Sequence, residues 1–134
     1  MGASVLTETM LVYADNGNDA DNNEFNIAPG MGLLPGNIII DQHFSQRNRF
    51  GRLLSAVARI PQLIAIGLDE NTAVIINQGY RITVACEGIV YIFDGSRIKF
   101  ANVKDTAFNI CTSIMTKGYE YDLKNRVKIV RKRK

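Results

Sequence analysis

The chain has one histidine in 134 residues. Its two cysteines, Cys86 and Cys111, lie far apart, with no CxxC pair and no histidine cluster around them. A zinc site is therefore not expected, and the thiols read as reduced and partly buried. No apolar run approaches the roughly 18 residues of a membrane helix. The first ten residues include Glu8 and no basic stretch, which does not fit a signal peptide, so a cytoplasmic location is expected by default. There is no internal repeat and no low-complexity tract. The length favours one domain, and the hydrophobic content of 46% is ordinary for a packed core.

The formal charge of +3 is unevenly spread. Six of the sixteen Lys and Arg lie in residues 126–134 (RVKIVRKRK), which leaves ten basic against thirteen acidic residues elsewhere. The body is slightly acidic and the basic character belongs to the tail. Such a tail reads either as a solvated terminus or as a polyanion-binding arm. No aromatic interleaving or RNA-binding motif accompanies it, so nucleic acid is not an expected partner, and neither is a membrane.

Residues 2–13 (GASVLTETMLVY) predict a helix, with Val5, Leu6, Met10 and Leu11 at near-helical spacing. Residues 15–24 (DNGNDADNNE) read as a polar loop whose Asp/Asn spacing does not fit an EF-hand. Pro29-Gly30-Met31-Gly32 marks a turn. Ile38-Ile39-Ile40 predicts a short strand covered on both faces, as in a parallel sheet. Ser45 is a fair N-cap for a helix to about Ile60, with Phe50, Leu53, Leu54 and Val57 as its apolar stripe and Pro61 closing it. Leu63–Leu68 is a second apolar strand, which completes a βαβ unit. Beyond Asn71 the texture changes. Thr72–Asn77, Tyr80–Cys86 and Ile89–Phe93 predict a meander of hairpins, followed by a strand near Asn109–Met115 and a turn at Lys117-Gly118. The expected organisation is a single partial domain. Residues 1–71 form its α/β part, 72–125 its β-rich part and 126–134 a basic tail.

In open α/β sheets, functional groups gather at the carboxyl ends of the strands. Asp41-Gln42-His43 follows the first strand and Asp69-Glu70 the second. In a βαβ unit these ends point the same way, so Glu70 could fix the tautomer of His43 and leave the other ring nitrogen as a general base. The alternative is a core histidine capping the strand, with Glu70 a surface carboxylate. Arg47, Arg49 and Arg52 do not share one helical face. Either they belong to a solvated helix surface, or Arg47 and Arg49, in its first turn, reach over the strand ends to bind carboxylates. No recognisable nucleophile motif stands nearby.

The run Asp41-Gln42-His43-Phe44-Ser45-Gln46-Arg47-Asn48-Arg49-Phe50-Gly51-Arg52-Leu53-Leu54 closely resembles the signature of cyanophycinases. Gly67-Leu68-Asp69-Glu70-Asn71-Thr72-Ala73 and Gly118-Tyr119-Glu120-Tyr121-Asp122-Leu123 resemble further segments of that family. The resemblance implies a serine exopeptidase related to peptidase E, built on a glutamine-amidotransferase-like (flavodoxin-like) parallel-sheet α/β domain, with an antiparallel β-rich segment after it. Its activity would be hydrolysis of cyanophycin, a polyaspartate carrying arginine, to β-aspartyl-arginine dipeptides, without a metal or other cofactor. The resemblance assigns His43 as the triad base and Glu70 as its carboxylate partner, with Asp69 and Asp19 as rivals. It also places Gln42, Arg47, Arg49 and Arg52 in the substrate pocket, while Asp41 orients the loop or meets a substrate guanidinium.

The departure from the family is at the start. The nucleophile of the family lies in a Gly-Thr-Ser-Ala-Gly-Ala elbow between strand and helix. Gly2-Ala3 match the end of that elbow and Met1 stands where the preceding alanine would be. Ser4 is no substitute, because it would sit a helical turn beyond. The expectation is a C-terminal part that supplies base, acid and arginines and is inactive alone, with an N-terminal half supplying the serine. The expected partners are that half, an arginine/aspartate polymer or β-aspartyl peptide, and a second copy of the chain. The alternative is a non-catalytic binding or assembly module, or a truncated pseudoenzyme fragment.

Overall fold

The computed structural model describes residues 2–12, 26–100 and 107–129. The loop at 15–24, with Asp19, lies outside them. Over the described residues 2–12 the predicted helix is absent. A short 3-10 helix, Ser4–Leu6, leads into strand β1 (Thr9–Val12), which pairs antiparallel with β2 (Asn26–Pro29). The reason is competition for the carbonyls that an α-helix would use. Those of Val5, Leu6, Thr7 and Glu8 accept hydrogen bonds from Met31, Leu33, Gly32 and Gly30. The buried Thr7 hydroxyl, which bonds the Ser4 and Thr9 carbonyls, further ends the helical turn. Gly30 packs so closely on the Thr7 carbonyl that a β-carbon has no room. Pro29 belongs to β2, so the predicted turn begins one residue later.

The βαβ unit is present as expected. Strand β3 (Ile38–Gln42) lies parallel to β4 (Ile64–Leu68), from Ile38 opposite Ile64 to Gln42 opposite Leu68. Helix α1 (Phe50–Arg59) connects them. It starts at Phe50 and not at Ser45, because residues 44–49 form tight turns entered through His43 and left near Asn48, both in the left-handed region (φ 51° and 48°). Leu53, Ala56 and Val57 are its fully buried face.

The second half departs from a simple meander. Strands β5 (Val74–Ile76) and β6 (Arg81–Val84) do form a hairpin. Strand β7 (Val90–Asp94) leaves them and pairs antiparallel with β4. Its run Val90-Tyr91-Ile92-Phe93 is apolar on both faces, which suits a covered central strand better than a hairpin edge. After the short pair β8 (Lys99–Phe100) and β9 (Ala107–Phe108), strand β10 (Cys111–Met115) extends β7, as predicted near 109–115. Strands β11 (Glu120–Asp122) and β12 (Val127–Ile129) join β6. The result is a mixed sheet, β10-β7-β4-β3, and an antiparallel sheet, β12-β11-β6-β5. The fold is mostly β with one α-helix among the described residues, so the parallel-sheet expectation holds for a single strand pair.

Alternation along the strands builds two cores on the mixed sheet. Ile39, Ala65, Tyr91 and Phe93 face α1 with Phe44 and Leu53. Ile38, Ile40, Ile64, Ile66, Val90 and Ile92 meet Ile82, Val84, Tyr121 and Leu123 of the second sheet and its β11–β12 turn. Burial and the Asp94 carboxylate push the Tyr121 hydroxyl up to about 12. The start of the predicted basic tail is in fact built into the fold. Arg126 donates to the Asp94 carboxylate and the Gln62 carbonyl, tying the β11–β12 turn to the mixed sheet. The cysteines, predicted partly buried, are both exposed.

Candidate active site

The carboxyl ends of β3 and β4 carry two turns, and successive hydrogen bonds lace them together. The Phe44 amide donates to the Leu68 carbonyl at 3.0 Å. The Ser45 amide donates to Asp69 Oδ1 at 2.8 Å. In the opposite direction the Glu70 amide donates to Gln46 Oε1 at 3.1 Å. Beneath them the fully buried Phe44 ring lies against Gly67, so closely that a β-carbon there would collide with it. That contact explains a glycine inside an apolar strand.

His43 and Glu70 meet above this base. His43 Nδ1 lies 3.0 Å from Glu70 Oε1, and the side chains are 36% and 52% exposed. A carboxylate accepts only, so the neutral imidazole carries its proton on Nδ1 and presents Nε2 as an acceptor. The reading of His43 as a sealed core residue is thus not what the geometry gives.

Asp41, two residues earlier, is 2% exposed. The period of two along β3 turns it towards α1, on the side of Ile39. There Arg52 grips it with two bonds, Nε to Oδ2 at 2.7 Å and Nη2 to Oδ1 at 2.6 Å. Arg49 Nη1 adds a bond to Asp41 Oδ1 at 3.0 Å and one to the Gln42 carbonyl at 2.7 Å. Arg49 and Arg52 are themselves 8% and 5% exposed. Two guanidiniums thus hold one carboxylate beneath the turn that carries His43. Arg47 stands on the exposed side of the same turn, and its amide bonds the His43 carbonyl. Gln42, half-buried, accepts a bond from the Ala3 amide at 3.2 Å, which brings residues 2–3 to the strand end that carries His43. Asp69 is turned to the Ser45 amide. Tyr91, beside it, is raised above its ordinary value by burial and by the Asp69 charge, with a hydrogen bond to Ser45 opposing. Among the described residues, no three His, Cys, Asp or Glu side chains converge as a metal site.

The cyanophycinase of Trichormus variabilis (strain ATCC 29413 / PCC 7937) is 33% identical over an alignment of 132 residues that covers 93% of this chain and 44% of that protein. The chain is a partial-length homologue of the cyanophycinases. The cyanophycinase of Geminocystis herdmanii (strain PCC 6308) is 36% identical over 101 residues, covering 75% of this chain and 37% of the relative. That of Thermosynechococcus vestitus (strain NIES-2133 / IAM M-273 / BP-1) is 31% identical over an alignment of 130 residues that covers 92% of this chain and 40% of the relative. This cyanophycinase homologue therefore spans less than half the length of these relatives. No family model matches it.

Reading residues by type and spacing brought out His43, Glu70, Asp41 and the arginines. It missed Gln46 and the bond of Asp69 to Ser45. Their signal was faint: Ser45 and Gln46 behind the apolar Phe44 on one turn, and Asp69 directly after the other strand, each able to satisfy the turn facing it.

Proposed function

We propose that these residues are the base, acid and substrate-binding part of a cyanophycinase-like serine-type peptidase. It would release β-aspartyl-arginine dipeptides from arginine-bearing polyaspartate or a related β-aspartyl peptide. The observation that carries the reading is the 3.0 Å contact between His43 Nδ1 and Glu70 Oε1 at the ends of a parallel strand pair. With Nδ1 engaged, Nε2 accepts the proton of an attacking serine hydroxyl and returns it to the leaving amine, and Glu70 steadies the imidazolium formed between the two steps. The exposed Arg47 on the turn that carries His43 favours an anionic backbone over a neutral one.

The serine would come from sequence outside these 134 residues, on an elbow leading into Gly2. The Ala3–Gln42 bond supports this, because a chain entering at Gly2 starts beside the strand end of His43. The test is dipeptide release from the polymer, measured with these residues joined behind a Gly-Thr-Ser elbow. His43→Ala should lower turnover by about 10³-fold or more, and residues 1–134 alone should release nothing above background. Full turnover in His43→Ala would reject the base. Release at an ordinary enzymatic rate by residues 1–134 alone would reject the external nucleophile.

A further inference from the structure

We infer that Gln46 is a positioning residue, one that sets the Glu70 carboxylate against His43. The inference rests on the reading of these two as base and acid, and adds a residue which that reading leaves without a role. The difficulty it resolves is physical. Both side chains of the pair are well exposed, and an exposed ion pair has too little attraction to order two flexible groups by itself. The order must come from the backbone that carries them.

At Glu70 the backbone is held on both sides. Its amide donates to Gln46 Oε1 at 3.1 Å, and its carbonyl accepts from the Thr72 hydroxyl at 3.1 Å. Gly88 leaves room for this turn, since a β-carbon there would collide with the Thr72 hydroxyl and the Glu70 carbonyl. The next residue, Asn71, lies in the left-handed region at φ 55°, so the turn is sharply defined. Gln46 sits three residues after His43 on the facing turn. Its side chain therefore spans the same gap as the imidazole–carboxylate contact and runs alongside it. The Ser45–Asp69 and Phe44–Leu68 bonds continue this connection towards the sheet. Remove the Gln46 oxygen and the Glu70 amide turns to water, which releases the carboxylate from its fixed approach to Nδ1. Gln46 is exposed and packs no core, so its loss does not threaten the fold.

The single histidine makes the test direct, because one imidazole gives one set of ring signals. In the ¹⁵N-labelled 134-residue chain, long-range proton–nitrogen spectra of neutral His43 report whether the proton resides on Nδ1 or Nε2. The wild-type chain should show mainly Nδ1–H. Glu70→Ala should lose that preference, which verifies that the carboxylate sets it. Gln46→Met, of similar size without an acceptor, should lower the Nδ1–H to Nε2–H ratio at least three-fold, with the amide spectrum unchanged away from the two turns. Gln46→Glu, which keeps an acceptor oxygen, should retain the wild-type ratio. A wild-type ratio in Gln46→Met, or an equal loss in Gln46→Glu, overturns the inference. The readout uses no substrate. A chain that behaves as expected here and yet fails to hydrolyse the polymer behind a serine elbow would reject the proposed function and leave the role of Gln46 standing.

Discussion

Asp41 and His43 are two residues apart, yet one is sealed and the other is wet. Asp41 lies 2% exposed between two guanidiniums. His43 faces solvent against a half-exposed carboxylate. The change follows from the end of β3. Up to Gln42 the strand keeps its alternation and α1 covers the Asp41 side, and then the left-handed His43 turns the chain outward. A charge at the first position serves the fold, while at the second it is free to serve chemistry. Substitutions at the two places should separate stability from activity.

The largest effect is expected at the sealed end. Asp41→Ala leaves Arg49 and Arg52 buried without their carboxylate, and breaking a buried ion pair from one side costs about 3–5 kcal/mol. Urea unfolding at neutral pH measures it. A loss below about 1 kcal/mol would mean that water replaces the carboxylate and that the cluster is not sealed.

A second buried carboxylate sharpens the contrast. Burial pushes the Asp94 carboxyl up, but bonds from the Ser96 amide, Arg126 and the Ser96 hydroxyl outweigh it and hold the group below its ordinary value. Its contribution to stability is therefore complete above the unfolded-state value of about 3.9 and is lost as pH falls through the lower folded-state value. Asp94→Asn should cost about 1–3 kcal/mol at pH 7. The difference from wild type should shrink as the pH drops below about 4. Thermal unfolding across pH 2–7 checks it, and a difference independent of pH would show that the carboxylate charge is not what holds Arg126.

The same contrast marks what could be read without coordinates. Local apolar patterns revealed β3, α1, β4 and the position of Glu70 opposite His43, because each depends on burial periods within a few residues. Residues 2–13 misled because their fate is decided by a distant partner. Carbonyls 5–8 are taken by amides 30–33, which no local period reveals. For β7 the choice between hairpin and central strand was decided by α1 on one face and the second sheet on the other. For the arginines, helical spacing leaves both a solvated surface and a reach over the strand ends open, and it does not choose between them. The alternation Ile39–Asp41 already pointed the carboxylate at α1, and a buried carboxylate calls guanidiniums inward.

At the wet end the smallest stability effect should accompany a large effect on turnover. Glu70→Ala removes a half-exposed carboxylate whose attraction to the imidazole is spread into water, so unfolding should change by no more than about 1 kcal/mol. The imidazole then loses the group that fixes its tautomer, and its proton is free to occupy Nε2, the nitrogen that must accept from the serine. In the protein supplied with a serine elbow, kcat should fall about 10²-fold or more while the folded fraction stays the same. Parallel measurement of urea unfolding and dipeptide release decides it. Equal losses in both would make Glu70 another Asp41, a residue of the fold. A stable chain with full turnover would pass the role of acid to a different carboxylate.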